Sequence, residues 1–192
     1  MKRTFIAIKL EAGEKLKKLI CHFRDTLKNE KIKLVEEENL HLTLRFLGNT
    51  DPSQLMKVKQ LLLEICGQHT EFGFDLTGTG IFKSLRKPRV IWVGITHGSN
   101  LQAVYYQINN RIEKAGFSKE NDSWSPHLTI GRIREIKYRN ILGDLLEQYR
   151  DIDIQHVNVY EIIYYESKIL PSGPVYIPVE KFFLNKAGEN AK

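Results

Sequence analysis

Alternation of apolar and polar side chains opens the chain: "TFIAIKL" at Thr4–Leu10 has the two-residue period of a strand and is rich in β-branched positions. Residues 13–27 then carry apolar side chains at Leu16, Leu19, Ile20, Phe23 and Leu27, a spacing that lays one stripe along a helix. Ile32–Val35 predicts a short strand and His41–Leu47 a longer one, ended by Gly48 and Asn49. Asp51 ahead of Pro52 is a helix start, since the carboxylate accepts from first-turn N–H groups and proline needs no partner there; the helix runs through Leu55–Cys66. Phe72–Thr77 predicts the closing strand of this half.

The order then recurs. Arg89–Ile95 reads as a strand, and Leu101, Val104, Tyr105, Ile108 and Ile112 form a helical stripe. A turn-rich stretch, "FSKENDSWSP", leads to a strand from His127. A helix over Asn140–Tyr149 follows, then strands at Ile152–Tyr165 and Val175–Phe183 joined by the turn signal "LPSGP". Each half contains nearly the same phrase, "HLTLRFLG" at 41–48 and "HLTIGRIR" at 127–134. Ile6 to His41 is 35 positions and Ile91 to His127 is 36, so an internal duplication accounts for the spacing. No linker rich in glycine, serine or proline separates the halves. One two-lobed domain over 1–184 is therefore expected, with repeat halves at 1–80 and 89–184, "GTGIFKSLRKPR" as the connection, and a disordered tail at 185–192.

Composition narrows the class of partner. With 192 residues and a net charge of +6, the chain is large enough for a sizeable core and favours a polyanion such as RNA or a nucleotide. Lysine-rich helices such as "EKLKKLI" are more often solvated faces, so charge alone does not decide. No apolar run reaches the length of a membrane span, and the N-terminal stretch lacks a cleavage site; a cytoplasmic protein with no membrane partner is expected. Cys21 and Cys66 lie in helical segments without metal-ligand spacing and read as reduced, partly buried thiols.

The repeated phrase carries the chemistry. In a strand, His41 and Thr43 face one way and Leu42 and Leu44 the other; His127 and Thr129 do likewise against Leu128 and Ile130. A pseudo-two-fold packing would bring two imidazoles and two hydroxyls to one cleft. A lone strand histidine is usually a surface or hydrogen-bonded group, and His22, His69, His97 and His156 read that way. Two at matched positions do not. With ordinary pKa values near 6.5, one imidazole can act as base while the other, protonated, acts as acid, which suits phosphodiester cleavage without a protein nucleophile. Threonine hydroxyls and an arginine would hold the phosphate oxygens. A zinc site would need a third ligand that neither phrase supplies, and no Gly-Lys-Ser/Thr is present for a nucleoside triphosphate, so neither a metal nor a cofactor is expected.

"RTFIAIKL", "NLHLTLRFLG", "RVIWVGI" and "SPHLTIGRI" together resemble the bacterial and archaeal RNA 2′,3′-cyclic phosphodiesterases of the LigT/ThpR type, in the 2H phosphoesterase superfamily. The resemblance covers nearly the whole chain. It implies an α+β fold, bilobal, with pseudo-two-fold duplicated antiparallel sheets around a central groove and helices outside. It further implies metal-independent opening of an RNA 2′,3′-cyclic phosphate to a 2′-phosphate; a monomer is expected. On this resemblance His41 is the proton donor, His127 the proton acceptor, and Thr43, Thr129 and Arg132 bind phosphate. Simple alternation turns Arg132 away from the two groove residues of its strand, and a bulge at Gly131 would re-aim it. Phe46 is a candidate for stacking on a base. Alternation also places Arg45 on the face of His41, and Lys83, Arg86, Lys87 and Arg89 form a basic stretch able to follow an RNA backbone. A non-catalytic RNA-binding module on the same scaffold, or reversible 2′-5′ RNA joining by the same groups, are the alternatives.

Overall fold

The structure, a computed structural model, describes residues 1–119, 124–171 and 173–186. Its strands form two antiparallel sheets. The first has the order β3(His41–Thr50), β1(Lys2–Lys9), β8(Glu161–Leu170), β9(Gly173–Phe183). The second runs β2(Lys31–Leu34), β6(His127–Glu135), β5(Val90–Thr96), β4(Phe72–Phe82), β7(Asp153–Val159). Four helices accompany them among the described residues: α1(Glu14–Thr26), α2(Pro52–Cys66), α3(Ser99–Lys114) and α4(Arg139–Gln148). The stripes predicted from sequence are buried, with Leu16, Leu19, Ile20 and Phe23 on α1 and Leu101, Val104, Ile108 and Ile112 on α3 inside one continuous core shared by both sheets. Asp51 caps α2 as its spacing foretold: its carboxylate accepts from Gln54 N at 2.9 Å while Gln54 Oε1 accepts from Asp51 N at 3.0 Å.

The repeat is visible in the sheet orders, β3-β1-β8-β9 against β6-β5-β4-β7, and the halves exchange strands. β4, from the first half, pairs with β5; β8, from the second, pairs with β1. β2 is an added edge on β6. Exchange accounts for one departure from expectation. The single strand predicted over Ile152–Tyr165 is two, split at the exposed Tyr160, and its parts go to opposite sheets: β7 pairs with β4 and β8 with β1.

A second departure lies in β4, which continues to Phe82 instead of stopping at Thr77. Gly78 is not a break but a bulge: the register slips between Thr77 and Thr79 and Gly78 has φ +65°. A Cβ there would meet the Arg150 carbonyl oxygen at 2.1 Å, so only glycine fits. At the C-terminus, Asn185 makes a bridge with Thr70 and donates its side-chain amide to the Gly67 carbonyl. The rest of the predicted tail, 187–192, lies outside the described residues, as do 120–123 of the turn-rich stretch and Ser172 of the β8–β9 turn.

Candidate active site

Strands β3 and β6, each beginning at a histidine of the repeated phrase, pack beside one another. Leu42, Leu44, Leu128 and Ile130 are buried in the core behind them, and His41, Thr43, His127 and Thr129 are half-buried in front. The fronts share a cavity of about 280 Å³ lined by His41, Thr43, Phe46, His127, Thr129 and Arg132. All six predicted site residues therefore meet in one place, although His41 and His127 are far apart along the chain.

Two matching bulges assemble this set. Against β5, β6 skips a residue: Trp92 faces Thr129 but Ile91 faces Gly131. The extra residue reverses the phase of alternation, so Gly131 turns inward and Arg132 emerges on the face of His127 and Thr129. On β3 the same slip occurs against β1, with Ala7 facing Thr43 and Ile6 facing Arg45. Phe46 thereby joins His41 and Thr43, 57% exposed and away from the core. Arg45 does not reach the groove. It is 2% exposed, and its guanidinium donates to Asn109 Oδ1 at 2.8 Å and to the Ser118 carbonyl.

The two imidazoles are held alike. His41 Nδ1 lies 2.7 Å from the Asn39 carbonyl and His127 Nδ1 lies 2.8 Å from the Ser125 carbonyl, each two residues earlier in the chain. A carbonyl only accepts, so Nδ1 carries the hydrogen in both rings and Nε2 is left for chemistry. Aromatic rings wall each imidazole: Tyr176 meets His41 edge-on at 5.0 Å, and Phe82 meets His127 edge-on at 4.5 Å. Burial is the main cause holding both pKa values below the ordinary 6.5; the carbonyl bonds oppose it, and the positive charge of Arg132 adds to the lowering.

Among known families, the model of the LigT-like phosphoesterases matches this sequence twice, at residues 6–92 and 93–176. The chain belongs to that family. Among its LigT-like relatives, an RNA 2′,3′-cyclic phosphodiesterase of Methanocaldococcus jannaschii is 35% identical over 180 residues, covering 94% of this chain and 99% of the relative. Another of that name, from Thermotoga maritima, is 33% identical over 178 residues, covering 91% of each. The fold matches the crystal structure of TT0787 of Thermus thermophilus, with a TM-score of 0.79 at 22% identity over 96% of this chain and 98% of that one. It also matches E. coli LigT in its apo form, with a TM-score of 0.72 at 22% identity and the same two coverages. The bilobal α+β architecture is thus that of the LigT-like phosphoesterases.

Several groups around this LigT-like groove carry no sequence signature. The orienting acceptors Asn39 and Ser125 act through backbone carbonyls, which any residue supplies; position two before each histidine is the only available clue. Glu37–Asn39 forms a 3-10 turn just ahead of His41, and Glu36 before it lines the groove. Tyr176 comes from β9 at the far edge of the first sheet. None of Lys83, Arg86, Lys87 or Arg89 lines the cavity, though neighbouring Val90 does. Among the described residues no three His, Cys, Asp or Glu side chains gather as metal ligands, and no helix is long and apolar enough to cross a membrane. Cys66 is buried, which pushes its thiol up to about 12, while Cys21 is exposed.

Proposed function

We propose that this protein hydrolyses the 2′,3′-cyclic phosphate end of RNA to a 2′-phosphate, with His41 and His127 as acid and base. The observation that carries the reading is the convergence of both His-x-Thr strands and Arg132 on one cavity. Neutral His127, with Nδ1–H engaged by Ser125, offers an Nε2 lone pair to a water. As the water oxygen bonds to phosphorus, its proton passes to His127. The phosphorus–O3′ bond breaks, and protonated His41 delivers its Nε2 proton to O3′. Thr43, Thr129 and Arg132 supply donors to the non-bridging oxygens, where negative charge grows. Phe46 offers an exposed ring to the terminal base. A single chain provides every group, in keeping with a cytoplasmic monomer acting on RNA ends.

The direct test is incubation of a short RNA bearing a 2′,3′-cyclic end, with the product assigned by phosphorus NMR. A 2′-phosphate is expected. A 3′-phosphate would put the acid on O2′, and unchanged RNA that still binds would favour the non-catalytic module.

The pKa directions predict the pH dependence. Activity of the free enzyme rises with pH as the base loses its proton and falls as the acid loses its own. Both histidines sit below 6.5, so kcat/KM should peak on the acid side of pH 6.5. Bound phosphate favours imidazolium, so kcat should peak at higher pH than kcat/KM. Arg132→Gln removes a charge that lowers both values and should move the kcat/KM maximum upward. A wild-type kcat/KM maximum above pH 7 would contradict these protonation states.

A further inference from the structure

A second cavity, of about 150 Å³, lies against the groove and shares His41 and Tyr176 with it. Tyr165 and Ile163 contribute apolar walls; Lys9, Lys181 and Glu38 are its charged lining. Lys9 sits directly opposite His41 in the β1–β3 register, and Ala7 opposite Thr43, so the lysine shares the face that carries the catalytic pair. Lys181 is already held by Glu161 at 2.8 Å. Lys9 is exposed and makes no ion pair among the described residues.

We infer that this cavity is a subsite for the phosphodiester immediately 5′ to the cyclic end, with Lys9 as its principal cation. The inference rests on the proposed function, and on His41 serving the O3′ side. If His41 protonates O3′, the ribose bearing that oxygen lies against His41, and the strand's 5′ continuation departs past the ring. Phe46 takes the terminal base on the groove side, while the space beyond His41 and Tyr176 receives the next backbone unit. An unpaired ammonium there meets an anion that a nucleoside cyclic phosphate with a free 5′-hydroxyl lacks. Glu38 works against the anion. With Lys181 held by Glu161, Lys9 is the cation left to meet the anion, and Tyr165 and Ile163 form an apolar wall of the cavity.

The experiment compares kcat/KM for three substrates: a nucleoside 2′,3′-cyclic phosphate with free 5′-hydroxyl, the same compound with a 5′-phosphate methyl ester, and a dinucleotide with a 2′,3′-cyclic end. A charge-assisted contact predicts that the wild type favours the second and third by about ten-fold over the first. Lys9→Gln should erase that advantage while leaving the first substrate's rate unchanged; Lys9→Arg should restore most of it. Raising salt should bring the wild-type ratio of the second and third substrates to the first toward one, where the Lys9→Gln ratio already stands. Equal rates on all three substrates, or an advantage that survives Lys9→Gln, would overturn the subsite and leave the hydrolysis intact. Equal slowing of all three by Lys9→Gln would place the lysine at the scissile phosphate, which also overturns the inference. Hydrolysis of none by the wild type would overturn both readings.

Discussion

His127→Ala lowers kcat/KM on a cyclic-phosphate RNA end by about 10²–10⁴, the range expected when a positioned general base is removed, and His41→Ala lowers it by a similar factor. The two losses differ in kind. Without His127 the acid limb of the pH profile disappears, because no base remains to be deprotonated; without His41 the alkaline limb disappears. An aryl ester of a nucleoside phosphate, whose leaving group needs no proton, should therefore recover much of its rate in His41→Ala and little in His127→Ala. The double variant should be hardly slower than the worse single one, since the rings act on one transition state. Neither ring is deep in the core, so urea midpoints should stay near the wild type, and His127→Gln provides a second variant that keeps more of the contact with Phe82. Residual activity within ten-fold of the wild type in either alanine variant would remove that histidine from the mechanism. Recovery on the aryl ester by His127→Ala instead would exchange the two roles.

That each histidine answers to the same test reflects a duplication the sequence states openly. The period-two alternation of "HLTL" and "HLTI" is local, so the groove face of each strand is readable before anything is known of its neighbours. The helical stripes are readable for the same reason, and Asp51 before Pro52 marks where α2 begins. The sequence is silent where partners decide. In the sequence Ile154, Val157 and Val159 look like a continuation of the run that includes Ile162 and Ile163, because both sets are apolar; that they are buried in different sheets is a property of packing, not of period. The bulges show the limit most clearly. At Gly131 a glycine flags the irregularity. At the matching position of β3 the residue is Arg45, which flags nothing, and alternation carries it wrongly to the groove.

The different residues at these matched bulges follow from the strand exchange. In the second sheet, Gly131 lies opposite Leu34 of β2, and a Cβ on it would stand 3.0 Å from Leu34 Cδ2. In the first sheet β3 is an edge with no paired strand beyond it, and α3 packs against β3. The space between β3 and α3 takes a long side chain, since Arg45 is buried there and reaches Asn109 of α3. Arg45 fills it and satisfies the backbone around it. Asn109, which takes one of its hydrogen bonds, donates in turn to the carbonyls of Leu44 at 3.3 Å and Tyr105 at 2.8 Å. The bulge that turns Phe46 into the groove is thus tied to α3 through a buried polar network.

Arg45→Ala should consequently destabilise the fold by about 3–5 kcal/mol, a large share of the roughly 5–15 kcal/mol typical of a domain. The loss has three sources. Asn109 Oδ1 is left as a buried acceptor without its donor, at about 1–3 kcal/mol, whereas the carbonyl of the exposed Ser118 can turn to water and loses less. Glu113, whose carboxylate lies 3.7 Å from Nη1, loses its cation, although its partial exposure lets water answer most of that charge. The vacated stem leaves a cavity between β3 and α3. Arg45→Met fills the stem but not the donors and should recover only the last part. Adding Asn109→Leu to Arg45→Met removes the orphaned acceptor and should recover part of the remainder, less what the Leu44 carbonyl loses with the amide's donor. Urea unfolding of the three variants orders these terms. A loss below about 1 kcal/mol for Arg45→Ala would mean that water enters and replaces the guanidinium, and that the bulge stands without its tie to α3.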